Sequence, residues 1–84
     1  MKAATLQMNW NDVLDLLKDC SHPGQIGWRV ARLLRINPKR VWENALDVKY
    51  GLYLIAALKQ AIALRKRPKA VEFDRKGNVT VQWA

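Results

Sequence analysis

The side chains of this 84-residue chain that can do chemistry are mostly cations. Arg29, Arg32 and Arg35 recur every third residue with no acid between them, so on a helix they line one side. Arg65, Lys66 and Arg67 follow a long apolar run, and Arg75 and Lys76 lie near the C-terminus. Such groups donate hydrogen bonds and accept none, so in these numbers they suit binding of a polyanion better than the making of bonds. A solvated helix face is the plainer use of the arginine stripe, although like charges at this spacing repel. Trp42 stands beside Lys39 and Arg40, with Glu43 next. If Val41 faces inward, Trp42 faces at least partly outward, where it suits a base, a sugar or a protein pocket.

Other chemistries find little material. The sequence offers no nucleophile–base constellation and no glycine-rich phosphate loop, so an enzyme is not expected. One histidine and one cysteine exclude most metal sites. Cys20 and His22 are two ligands, which do not make a site, and they read more plainly as a helix-end thiol and a loop imidazole. Asp12, Asp15 and Asp19 read as a solvated helix face. Neither a metal nor a cofactor is expected.

Composition agrees. Fifteen Lys and Arg against seven Asp and Glu give a formal charge of +8, in a chain that is half apolar. That describes one small globular domain with a polyanionic partner, nucleic acid before an anionic membrane. Residues 48–69 carry six cations and no acid, whereas residues 70–84 cancel. The single cysteine cannot form an internal disulfide. With no long apolar run from Met1 to Leu6, it points to a reducing, cytoplasmic setting without a signal peptide.

The elements that must position these residues follow from periodicity. A first helix opens at Asn9 or Asn11, with Trp10, Val13, Leu14 and Leu17 on one face. Cys20 to Gly24 turns the chain. A second helix covers about Gln25 to Arg35, burying Ile26, Val30, Leu33 and Leu34. Asn37-Pro38 ends it and starts a third over about Pro38 to Leu46, with Val41 and Ala45 inward. Asp47 caps a fourth from about Val48 to Lys66. From Tyr50 to Leu64 its plainly polar side chains are Lys59 and Gln60, apart from the tyrosine hydroxyls. Such a helix is expected to be buried on nearly every side. It is shorter than the ~20 apolar residues of a membrane span, so it reads as a central helix that also forms a subunit interface. Residues 70–83 form a hairpin. A three-residue loop, Arg75-Lys76-Gly77, sets Phe73 opposite Val79 and Val71 opposite Val81, with Gly77 in the left-handed place. The fold class is mainly α, about four helices and a C-terminal two-stranded antiparallel hairpin.

Within it, Ala31, Leu34, Ile36 and Val41 give the spacing A-x-x-L-x-I-x-x-x-x-V. A small residue stands where two helices cross, apolar residues flank the turn, and Val41 anchors the second helix. This resembles the phage Cro and repressor-type helix-turn-helix family over residues 27 to 44, roughly a fifth of the chain. The turn position usually held by Gly is Arg35, and a non-Gly residue adopts the left-handed conformation only uncommonly. The fourth helix has no counterpart in Cro. The resemblance implies that Pro38, Lys39, Arg40, Trp42 and Glu43 enter the major groove. Arg40 or Lys39 would then donate to guanine and Glu43 accept from cytosine. Arg29, Arg32 and Arg35 would contact phosphates, as would Arg65, Lys66 and Arg67. Arg75 and Lys76 would do so from a wing-like hairpin.

The expected function is therefore a small transcriptional regulator that binds double-stranded DNA. It would be a homodimer through the apolar helix, the hairpin or both. The alternative is a protein-binding module or inhibitor whose basic face docks on an acidic, nucleic-acid-like surface of a larger protein. RNA is a third partner class, but no GXXG loop is present.

Overall fold

A computed structural model of the chain describes residues 5–83. Strand β1 (Leu6–Asn9) leads directly into helix α1 (Trp10–Leu17). Helices α2 (Pro23–Leu33), α3 (Pro38–Asn44) and α4 (Leu46–Leu64) follow, and strands β2 (Pro68–Phe73) and β3 (Val79–Trp83) end the described chain. The strands form one antiparallel sheet in the order β1-β2-β3.

The hairpin register is the expected one, with Val71 opposite Val81 and Phe73 opposite Val79. Asp74 N–H donates to the Asn78 carbonyl at 3.1 Å, closing a loop over Arg75, Lys76 and Gly77. Gly77 has φ 100° there, the left-handed place such a loop requires. Its position also faces Lys49 Cδ and Leu46 Cδ2, which a Cβ would meet at 3.0 and 3.1 Å, so the loop is docked on α4. The expected two-stranded hairpin gains a third strand, β1. Leu6 pairs with Phe73 and Met8 with Val71, so their side chains join the apolar face, while Gln7, Glu72 and Thr80 share the other. Leu6 and Met8 pack against the core.

Local signals account for most helix starts. Asn9 caps α1, its side chain accepting from Asp12 N–H at 2.8 Å. Asn37 caps α3 by accepting from Lys39 N–H at 2.9 Å, with Pro38 in the first turn. Helix α2 starts at Pro23, two residues before the expected Gln25, because Pro is preorganised for that place. Gln25 Oε1 accepts from Ser21 N–H at 2.6 Å and from Ser21 Oγ–H at 3.0 Å, one residue before the N-cap His22, which makes no side-chain cap bond of its own.

Among the described residues, four non-glycine ones take positive φ: Asp19, Arg35, Ala45 and Arg65. Ala45 is exposed, not inward as expected, and it separates α3 from α4. Consequently α3 ends at Asn44, and Asp47 lies in the first turn of α4, where no side-chain cap is made.

The core is built by Val13, Val30, Val41, Leu46, Tyr50, Leu54, Val71 and Phe73, all essentially inaccessible. Tyr50 and Phe73 meet edge to face at 6.1 Å. Helices α2 and α4 touch backbone to backbone. A Cβ on Gly27 would fall 1.6 Å from the Asp47 carbonyl oxygen, and one on Gly51 would fall 2.0 Å from that of Pro23. Leu14 and Leu33, expected inside, are exposed, and Leu16 takes the buried place in α1. Helix α4 is not buried all round either. Leu46, Tyr50, Gly51, Leu54, Ala57 and Ala61 face the core, but Leu52 is 53% and Ile62 67% exposed. Among the described residues no helix is long and apolar enough to cross a membrane.

Candidate nucleic-acid interface

The turn between α2 and α3 is built by a left-handed arginine. Arg35 has φ 57°. Its N–H donates to the Arg32 carbonyl, and Ile36 N–H donates to that of Ala31, each at 3.0 Å. This is the paired bonding of a Schellman motif, with Ile36 packing beyond the helix end. Arg35 therefore occupies the Gly position of the turn and leaves its charged side chain exposed.

Val41 is fully buried and fixes α3 against the core. Lys39, Arg40, Trp42, Glu43 and Asn44 are consequently all outside. Trp42 is 79% exposed, an unusual position for the largest side chain. The candidate base readers Lys39, Arg40, Trp42 and Glu43 thus all lie exposed on one short helix.

The hairpin loop comes to the same place. Arg40 Nη2 lies 3.5 Å from the Arg75 carbonyl. Arg75 Nη1 donates to the carbonyl of Leu34, the C-cap of α2. Arg40, Asn44, Leu46, Lys49, Arg75 and Lys76 line one cleft of about 210 Å³. Four cations facing one small volume make it a strong anion attractor. Asn44 and Lys49 were not among the expected site residues. Lys49 belongs to the acid-free stretch 48–69, but its place beside α3 depends on the break at Ala45, which the sequence does not announce.

The loop keeps its shape through Asp74. Its carboxylate accepts from Lys76 N–H at 2.8 Å, and from Asn78 N–H and Nδ2 at 3.0 and 2.9 Å. Burial would raise the carboxyl's pKa, but these bonds and the Gly77 N–H outweigh it and hold the group below the ordinary value. Tyr50 O–H donates to the Asp74 carbonyl. Burial first, and then the charge of Asp74, push the phenol above its ordinary value. The acid of the loop is thus committed to the loop's own N–H groups, while Lys76 remains exposed.

Other expected phosphate contacts lie elsewhere. Arg29 Nη1 donates to the carbonyls of Leu16 and Lys18 at 3.0 and 2.9 Å, so it ties the end of α1 to α2. With Gln25, Trp28 and Arg32 it lines a second concavity of about 220 Å³. Arg65 ends α4 in the left-handed conformation, and Arg67 donates to Asn11 Oδ1 at 2.6 Å. Arg65, Lys66 and Arg67 stand at the far end of α4, about 28 Å from its start at 1.5 Å per residue, so the fold does not bring them to α3. Cys20 and His22 line an apolar groove with Leu17, Pro23, Ile26, Ile55 and Leu58.

No protein-family model, curated protein or solved structure matches this chain, so its function is argued from these residues and their arrangement.

Proposed function

We propose that this chain is a small helix-turn-helix protein that binds double-stranded DNA sequence-specifically, as a homodimeric transcriptional regulator. One observation carries the reading: the exposed face of α3 and the cationic hairpin loop share one surface around Arg40. Helix α3 is the recognition helix, and its N-terminal residues enter the major groove. Arg40, or Lys39 beside it, donates to guanine O6 and N7; Glu43 accepts from cytosine N4; Trp42 packs on bases or sugar. Lys76, Lys49 and the free donors of Arg75 hold the adjacent phosphates, as does Arg35 from the turn, while Arg32 meets a more distant phosphate from the second concavity. Those contacts orient the helix without reading sequence.

The test is selection from a random duplex library at two salt concentrations. Enrichment of a two-fold symmetric site that survives moderate salt is the expected result. Binding that vanishes with salt and enriches no sequence would overturn it. Trp42 favours a second reading, because an aromatic so exposed is also what anchors a protein partner. In that case the cationic cleft docks on an acidic protein surface, and a stoichiometric protein complex replaces the selected site.

A further inference from the structure

The face of α4 turned away from the core carries a regular apolar stripe. Val48, Leu52, Ile55, Lys59 and Ile62 follow one another in alternating steps of four and three, the spacing of a helix–helix seam. Val48, Leu52 and Ile62 are exposed and Ile55 is half-buried. The exposed Ala56 and Ala63 lie beside the stripe and permit close approach. At Ile55 it continues into the apolar groove formed by Leu17, Ile26 and Leu58, so the apolar surface is wider than the helix alone.

We infer that this stripe pairs with the same stripe of a second copy, antiparallel, about a two-fold axis passing beside Ile55. The inference rests on the DNA-binding reading for its third argument and deepens it. The first argument is self-complementarity. Pairing about Ile55 sets Val48 against Ile62 of the second copy and Ile55 against itself, while Leu52 meets the apolar stem of the second copy's Lys59. The second is charge. A parallel pair would hold Lys59 against Lys59, and residues 48–69 contain no acid to offset them. The antiparallel pair separates the two ammonium groups by about 12 Å along the axis. Each Lys59 stem can then lie along the seam with its charge in water.

The third argument is direction. Lys49 stands about 100° round the helix from Val48, so the cationic cleft faces sideways from the seam. In an antiparallel pair the two-fold axis is perpendicular to both helices and to the line joining them. Both clefts therefore face the same side. In a parallel pair the axis runs along the helices, and the clefts face opposite sides. The antiparallel arrangement also sets the two copies of Leu46, where each α3 joins α4, about 27 Å apart along the axis. That separation is comparable with the 34–36 Å between half-sites one duplex turn apart.

The test is disulfide trapping in the full chain, with the native thiol removed by Cys20→Ser. Ile55→Cys is expected to give a covalent dimer on mild oxidation. Leu52→Cys and Ile62→Cys alone are expected to stay monomeric, while Val48→Cys mixed with Ile62→Cys gives the mixed dimer. Self-linking at Leu52→Cys and Ile62→Cys, as well as at Ile55→Cys, would establish the parallel pair and overturn the inference. So would a folded monomer in analytical ultracentrifugation at micromolar concentration. Leu52→Glu, at an exposed position, is expected to keep the circular dichroism of the wild type and abolish the dimer; a persistent dimer would place the interface elsewhere. Failure of the DNA reading is distinguished by its own result, an Ile55-linked dimer that selects no duplex sequence.

Discussion

The guanidinium of Arg75, in the hairpin loop, donates to the carbonyl of Leu34 at the end of α2. One residue of the hairpin loop thereby satisfies an orphan carbonyl of the turn that leads into α3. Arg75→Ala should cost about 1–2 kcal/mol, since a partly buried acceptor loses a charged donor. It should also loosen the angle between loop and α3. Lys76→Ala, beside it and exposed, should leave stability unchanged. Urea melts of the two variants separate them; equal stability would mean that the Arg75 contact carries no load.

Arg35 holds the left-handed place in the turn between α2 and α3. An L-residue there costs roughly 1–2 kcal/mol, which glycine avoids while adding some unfolded-state entropy. Arg35→Gly should therefore stabilise the chain by about 0.5–1 kcal/mol. A gain of 1 kcal/mol raises Tm by roughly 4–8 °C in a domain of this size. Arg35→Ala should give no such gain, because it removes the charge and keeps the strain. If both variants melt together, backbone conformation is not the cause.

The start of α3 and the hairpin were legible because the residues at their special positions announce themselves, whereas Arg35 in the left-handed place of the turn does not. Asn37-Pro38 can hardly do anything but start a helix, and Gly77 fixes the loop length once Val71, Phe73, Val79 and Val81 must share a face. Strand β1 was not legible, since Leu6 and Met8 alternate over four residues and its partner lies more than 60 positions away. Ala45 was not legible either. Alanine is the best helix former, and here tertiary packing of Leu46 and Val41 overrides its preference. That one break decides where Lys49 stands, so the part of the site contributed by α4 was hidden with it. The apolar composition of α4 gave its importance but not its faces, because hydrophobicity alone does not separate a core contact from an exposed stripe.

Gly27 and Gly51 let α2 and α4 meet backbone to backbone. A methyl at either position collides with a carbonyl oxygen that the helices hold in place. Gly27→Ala and Gly51→Ala should each cost about 3 kcal/mol or more, at the upper end of overpacking penalties. Gly24→Ala is the control, because its nearest neighbour, His22 Nδ1 at 3.3 Å, belongs to a movable side chain. Thermal denaturation should rank the first two far below the third.

The Asp74 carboxyl has a folded pKa below its ordinary value, near 3.9 for an unfolded chain. Its contribution is therefore fully present above the unfolded value and is lost as pH falls through the folded one. Asp74→Asn should be less stable than wild type at neutral pH, with the difference shrinking in acid. Tyr50 is shifted the other way, so its contribution holds below about pH 10 and is lost as pH rises through its raised value. Tyr50→Phe should cost roughly 1 kcal/mol through the unpaired Asp74 carbonyl and flatten the alkaline limb. Parallel stability–pH curves for wild type and either variant would contradict the assigned cause.

If the proposed DNA-binding reading holds, Arg40 and Arg32 separate reading from holding. Arg40 stands on the exposed face of α3 beside the hairpin loop, where a bidentate contact to guanine is possible. Arg32 lies on α2 in the other concavity, where the proposed DNA-binding reading gives it a phosphate. Arg40→Ala should lose about 1–3 kcal/mol on the selected site and little on other duplexes, so its sequence preference flattens. Arg32→Ala should weaken every duplex alike, and the slope of log affinity against log salt should fall by about one per half-site. Anisotropy titrations of both variants on selected and scrambled duplexes, at several salt concentrations, give both quantities. If Arg40→Ala weakens all duplexes equally, α3 is a phosphate-holding helix and the base-reading role is wrong. If neither variant differs from wild type on any duplex, the cationic surface serves a protein partner instead.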